Sequence, residues 1–150
     1  MVILCKKGIS MVEKVKLSVC GLIVYNGTVL IVKRSDNDDF LPGIWEFPGG
    51  GVEKNESLKQ TLIRELQEEI QTDVSTANIK MIGISEEFSD GEKFERDIQF
   101  NYEIVFSEKP NITLSSEHSD FDWINKCDER IDDYLKNILK QSDVYKSWVE

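Results

Sequence analysis

Apolar and polar residues along this chain follow two different periods, and the switches between them mark its elements. Val15 to Tyr25 is rich in β-branched and aliphatic residues and reads as a strand. Asn26-Gly27 then supplies a strong hairpin signal, and Val29 to Lys33 returns as the partner strand. Ser35 to Gly43 is a polar, turn-rich loop whose Asp36, Asp38 and Asp39 are expected to be solvated. Trp45-Glu46-Phe47, before Pro48, reads as a short extended segment. At Leu58 the period changes: Leu58, Leu62, Leu66 and Ile70 recur every four residues and predict a helix with one packing stripe. Ser57 and Gln60 form the S-x-x-Q box that starts it. Ile79 to Phe88 predicts a strand, Ser89-Asp90-Gly91 a turn, and Ile98 to Phe106 another strand. In the latter, Ile98, Phe100, Tyr102 and Ile104 alternate with Gln99, Asn101 and Glu103, which predicts a single apolar face. Phe121 to Ile124 is a short strand. Arg130 to Lys140 is amphipathic, with Ile131, Tyr134, Leu135 and Ile138 toward a core, and a last helical turn holds Val144, Tyr145 and Trp148. Strands mixed with a few helices indicate an α+β or α/β domain.

At 150 residues the chain makes one domain, long enough to bury a substantial core. That domain is expected to span 15–150, with 1–14 a loosely ordered extension. Eighteen basic against 28 acidic residues leave a formal charge of −10. This balance argues against a nucleic acid polymer or an anionic membrane as partner. It also means that an anionic substrate needs cations to bind. Cys5, Cys20 and Cys127 are widely spaced and fit no CxxC pattern, as expected of structural thiols in a reducing, cytoplasmic setting. His118 is the only histidine, which disfavours histidine-rich metal sites and a Ser-His-Asp triad, and it is expected to be incidental. No apolar stretch approaches membrane-spanning length, and the oligomeric state stays open.

The chemistry concentrates between Gly49 and Glu69. Gly49-Gly50-Gly51 forms a glycine turn, and the helix that follows carries Glu65, Glu68 and Glu69. At about 100° per residue these three carboxylates share one arc beside the apolar stripe. Like charges at such spacing repel, and a bound cation turns that repulsion into coordination. Mg²⁺, with Mn²⁺ as the alternative, takes oxygen ligands and commonly bridges carboxylates to substrate phosphates.

Gly50, Glu56, Arg64, Glu65, Leu66, Glu68 and Glu69 stand at the spacing G-x5-E-x7-R-E-U-x-E-E, with U aliphatic. This stretch resembles the signature box of the Nudix hydrolases. It departs at the end, where Gln71 and Thr72 replace a glycine and an aliphatic residue; the glycine would serve as a left-handed helix cap, so the departure bears on the helix exit. The resemblance implies the Nudix αβα sandwich around a mixed sheet. It implies that Glu68, Glu69 and the Gly49 carbonyl bind metal, with Glu65 as general base or a further ligand. Arg64 and Glu56 are expected to form a structural ion pair.

Three further expectations follow from the resemblance. Glu117, six positions before Trp123, matches a spacing at which antimutator-type members place another metal ligand. Arg34 matches a phosphate contact. Trp45 and Phe47 are candidates for stacking on a base, with core packing as their other reading. Gly43 to Gly50 resembles the antimutator nucleotide-pool branch, which implies hydrolysis of a nucleoside triphosphate, oxidised or not, to monophosphate and pyrophosphate. Another nucleoside diphosphate-linked substrate, such as a nucleotide sugar, and a non-catalytic ligand-binding module remain the alternatives. Asn125 and Asn137 are both in range to read the base.

Overall fold

The computed structural model describes residues 14–88 and 95–150. The expected extension, up to residue 13, and the turn at Ser89-Asp90-Gly91 lie outside the described residues. In chain order the elements are β1 (Val15–Tyr25), β2 (Thr28–Arg34), β3 (Trp45–Glu46), β4 (Gly49–Gly51), α1 (Leu58–Ile70), β5 (Asn78–Phe88), β6 (Arg96–Phe106), β7 (His118–Ile124), α2 (Asp133–Leu139) and α3 (Asp143–Val149). The main path of the mixed sheet runs β3-β2-β1-β6-β5. Its centre is the parallel pair β1/β6, in register from Val15↔Arg96 to Tyr25↔Phe106.

On its other edge β1 forks. Near the hairpin it pairs with β2 through Val24↔Val29 and Tyr25↔Thr28, while Ser18, Val19 and Cys20 pair with Gly51, Gly50 and Gly49 of β4. Positive φ at both Asn26 and Gly27 makes the tight turn that starts this divergence. The fork opens a place in the sheet for the glycine turn, directly beside α1. β7 completes the other side by pairing with β2, with a register irregularity between Lys33 and Arg34.

Two cores sandwich the sheet. Val19, Ile23, Leu30 and Val32 face Leu62, Leu66 and Ile70 of α1, whereas Cys20, Leu22, Val24, Val29 and Ile31 face Leu135, Ile138, Leu139 and Val144 of the C-terminal helices. Successive strand residues thus serve opposite cores, as the pleat requires. The result is the αβα sandwich around a mixed sheet.

β6 carries the single apolar face expected of it, with Phe100, Tyr102 and Ile104 in the α1-side core, and its polar face is covered too: Asn101 and Glu103 are buried. Each is satisfied there, because Asn101 Nδ2 donates to Ser85 Oγ and Gln141 Oε1, and Glu103 Oε2 accepts from Val144 N–H. Two local expectations need correction. α2 begins at Asp133, since Asp132 caps it by accepting from Leu135 N–H. Arg130 therefore precedes the helix, tied to Asp122 and Asp128. Tyr134 sits at the rim, with its hydroxyl donating to Gln99 Oε1, rather than in the core.

α1 spans the predicted residues, and its capping box is closed from both sides, Ser57 accepting from Gln60 N–H and donating its own N–H to Gln60 Oε1. Its exit answers the question raised by the missing glycine. Gln71 takes the left-handed conformation itself, at φ 52° and ψ 38°. A non-glycine residue is strained there by about 1–2 kcal/mol.

Candidate active site

The glycine turn is glycine because two neighbours leave no room for a side chain. A Cβ on Gly49 would run into the Val19 carbonyl, and one on Gly50 would sit 2.5 Å from both carboxylate oxygens of Glu65. Backbone and carboxylate therefore approach each other without an intervening side chain. Gly49 N–H donates to Glu69 Oε2 at 3.0 Å, which ties the turn to the helix.

Four residues separate Glu65 from Glu69, so one face of α1 presents both to the turn. Glu69 is 6% exposed, while the Glu68 side chain is 60% exposed. Burial pushes the Glu69 carboxyl up to about 9, and the charges of Glu65, Glu46 and Glu117 reinforce the rise against the Gly49 hydrogen bond. Burial also raises Glu65, with Arg64 opposing it.

Arg64 distributes its guanidinium over the turn and the helix. Nε and Nη2 clasp both oxygens of Glu56 at 2.6 and 2.9 Å, Nη1 reaches Glu65 at 2.9 Å and Glu68 at 3.3 Å, and Nη2 also donates to the Gly51 carbonyl at 3.1 Å. This bidentate grip holds Glu56 down to about 2. A single cation thereby offsets part of the repulsion among the box carboxylates.

The segment before β7 delivers Glu117 to the same place. Thr72 Oγ1 donates to the Asn111 carbonyl, Thr113 N–H to the Ile70 carbonyl and Ser115 N–H to the Glu69 carbonyl. These bonds pin the segment along the C-terminal end of α1. One oxygen each from Glu69 and Glu117 and one ring nitrogen of His118 lie within 4.8 Å of one another. The His118 side chain is 2% exposed, and its Nε2 lies 2.9 Å from Glu46 Oε1. Its Nδ1 is buried without a hydrogen-bond partner, a condition that costs about 1–3 kcal/mol in a closed interior. Two carboxylates and an imidazole nitrogen converging on one point suit a divalent cation.

The remaining predicted residues fall into two sets. Arg34 lies near this cluster, but its guanidinium is already engaged: Nη2 with Asp38 at 2.7 Å, Nη1 with Glu46 at 3.2 Å and Nε with the Phe40 carbonyl at 2.9 Å. Asp38 accordingly clamps the loop rather than being merely solvated. Trp45 is half-buried, with the Arg130 guanidinium 4.9 Å from its ring centroid. Phe47 is 6% exposed and belongs to the core on the α2/α3 side. Packing there leaves its ring no free face for a base, so the stacking expectation is withdrawn for Phe47. What sequence reasoning missed is the pairing of Glu46 with His118. β3 and β7 both pair with β2, as Val32↔Glu46 and Arg34↔His118, and only that topology brings the two side chains together.

Residues 14–138 match the NUDIX domain family. A nucleoside triphosphatase, NudI, of Escherichia fergusonii is 31% identical over 115 residues, covering 73% of this chain and 82% of the relative. The fold resembles the MutT NUDIX hydrolase of Burkholderia pseudomallei (TM-score 0.69, 20% identity, 86% of this chain and 98% of that one). It equally resembles the MutT protein of Methanosarcina mazei Go1 (TM-score 0.69, 23% identity, 93% and 96%). The chain belongs to the Nudix family and is a hydrolase of phosphoric anhydride bonds.

Proposed function

We propose that this enzyme hydrolyses a nucleoside triphosphate to the monophosphate and pyrophosphate with Mg²⁺ or Mn²⁺. The observation that carries the reading is the convergence of Glu69 from α1 and Glu117 from the distant segment beside the glycine turn. The likeness to a nucleoside triphosphatase supports the substrate class. With 28 acidic residues against 18 basic ones, the chain has few cations of its own to spare for a triphosphate.

Glu69 and Glu117 would hold the divalent cation, with Glu68 and the Gly49 carbonyl as further ligands. When bound, that ion neutralises phosphate charge and makes a water more acidic. Water adds to phosphorus, the bridge between the α- and β-phosphates breaks, pyrophosphate leaves, and one proton is released. Glu65, which lies over Gly50 and is steadied by Arg64, would take that proton as general base or serve as a further ligand. Arg34 would meet a phosphate by exchanging its bond to Asp38, and Trp45 remains the candidate for contact with the base. Free Cys20 and Cys127 accord with a cytoplasmic location, which is part of the proposal. Among the described residues no helix is long and apolar enough to cross a membrane.

A panel of nucleoside triphosphates, oxidised triphosphates and nucleotide sugars, assayed with and without added inorganic pyrophosphatase, tests the reading. Phosphate that appears only after pyrophosphatase is the expected result for a triphosphate. Direct release of orthophosphate, or turnover of nucleotide sugars alone, would overturn it. Absence of any metal-dependent turnover would favour a non-catalytic module.

A further inference from the structure

Building on the reading of Glu69 and Glu117 as cation ligands, we infer that His118 Nδ1 is an additional, nitrogen ligand, oriented by Glu46. The site would then take a first-row transition ion such as Mn²⁺ in preference to Mg²⁺.

The two ring nitrogens have different surroundings. Nε2 lies 2.9 Å from Glu46 Oε1. Glu46 also accepts from Arg34 Nη1, at 3.2 and 3.4 Å to its two oxygens. A carboxylate already receiving a guanidinium acts as acceptor, so the imidazole donates its Nε2–H. In the neutral ring, that arrangement gives Nδ1 an open lone pair. Nδ1 is buried and unpartnered, in a residue that contributes a ring nitrogen to the Glu69–Glu117 cluster.

A ring held on one side by a carboxylate and open on the other is the usual arrangement of a metal-bound histidine. Atoms bound about 2.0–2.2 Å from one ion are separated by at most about 4.4 Å. The 4.8 Å envelope of the cluster that includes a His118 ring nitrogen is close to that separation. The nitrogen also changes the metal preference. A site of oxygen donors alone suits Mg²⁺, whereas imidazole favours first-row transition ions, with affinity rising from Mn²⁺ through Fe²⁺ and Co²⁺.

Because His118 is the only histidine in the sequence, [¹⁵N]histidine labels this site alone in tag-free protein. Mn²⁺ is added below stoichiometry, without nucleotide, and examined by pulsed EPR. The expected result is a directly coordinated nitrogen whose modulation changes from the ¹⁴N to the ¹⁵N pattern on labelling. In parallel, His118→Gln should raise the Mn²⁺ dissociation constant about 10–100-fold. The Mg²⁺ constant, read by competition, should change far less. Bound Mn²⁺ with no isotope effect overturns this inference and leaves the carboxylate site standing. Equal weakening of Mn²⁺ and Mg²⁺ overturns it in favour of a structural histidine. Failure of the wild-type chain to bind Mn²⁺ overturns both this inference and the cation site beneath it.

Discussion

The Glu65 carboxylate lies against the Cα of Gly50, so closely that a single methyl group at that position would contact both of its oxygens. The glycine is thus a steric requirement of the carboxylate's position. Gly50→Ala should fold, since only the end of one side chain need move, but Glu65 would be displaced. A shift of about 1 Å in a positioned group can lower turnover about 10²-fold. Circular dichroism and steady-state kinetics check this; unchanged kcat in Gly50→Ala would remove Glu65 from the reaction.

Glu65→Gln separates the two roles left open for that residue. A general base lost in this way lowers kcat by about 10²–10⁴ with little change in substrate affinity. A ligand lost in this way shifts the metal requirement as well. Metal titration of the variant distinguishes them, and a loss below about threefold would exclude both, being far under the general-base range.

Metal-free protein should lose stability as the pH rises because of Glu69. Its folded carboxyl titrates at about 9 against an ordinary value of 4.5. Between these values the unfolded chain has released the proton and the folded chain still holds it, so raising the pH favours unfolding. Glu69→Gln removes this slope while abolishing most activity. Thermal unfolding in chelator from pH 5 to 9 should show wild type falling more steeply than the variant. Parallel curves would contradict the burial of an ionisable Glu69.

Arg64 and Glu56 give the opposite sign. The Glu56 carboxyl is held down to about 2 from 4.5; its contribution is fully present above 4.5 and is lost as the pH falls toward 2. Arg64→Lys keeps the charge but loses the bidentate fork. Its acid unfolding midpoint should therefore move to higher pH. An unchanged midpoint would mean that the fork adds nothing to the pairing.

Gln71 offers a stabilising change. Gly at this left-handed cap relieves about 1–2 kcal/mol of strain and adds about 0.4–1 kcal/mol of chain entropy to the unfolded state. Gln71→Gly should then gain about 0.5–1 kcal/mol by urea denaturation. A loss of stability would show that the Gln71 side chain has a role of its own.

Local signals explain which features were legible in the sequence. Leu58, Leu62, Leu66 and Ile70 repeat within one helix, and Ser57 and Gln60 act over a single turn, so α1 was recovered with its bounds. The glycine turn and box carboxylates were likewise found within one contiguous stretch. Burial of Asn101 and Glu103 depends instead on α3 and the Gln141 side chain arriving over β6. Sequence alternation reports polarity but not what covers it. The Glu46–His118 contact needs two strands far apart in the chain to flank β2, and no local period encodes that. Phe47 carried the right chemistry for stacking, but packing between sheet and helices claimed it for the core.

The central claim is that Glu69 and Glu117 act together on one cation that the hydrolysis requires. A double-mutant cycle on pyrophosphate release, using Glu69→Gln, Glu117→Gln and the pair at matched Mg²⁺, tests it most directly. Groups serving one ion are non-additive: once one is gone, removing the other should cost little more, with a coupling of about 0.5–3 kcal/mol. Strict additivity of the two losses, or near-normal pyrophosphate release from Glu117→Gln, would contradict the account.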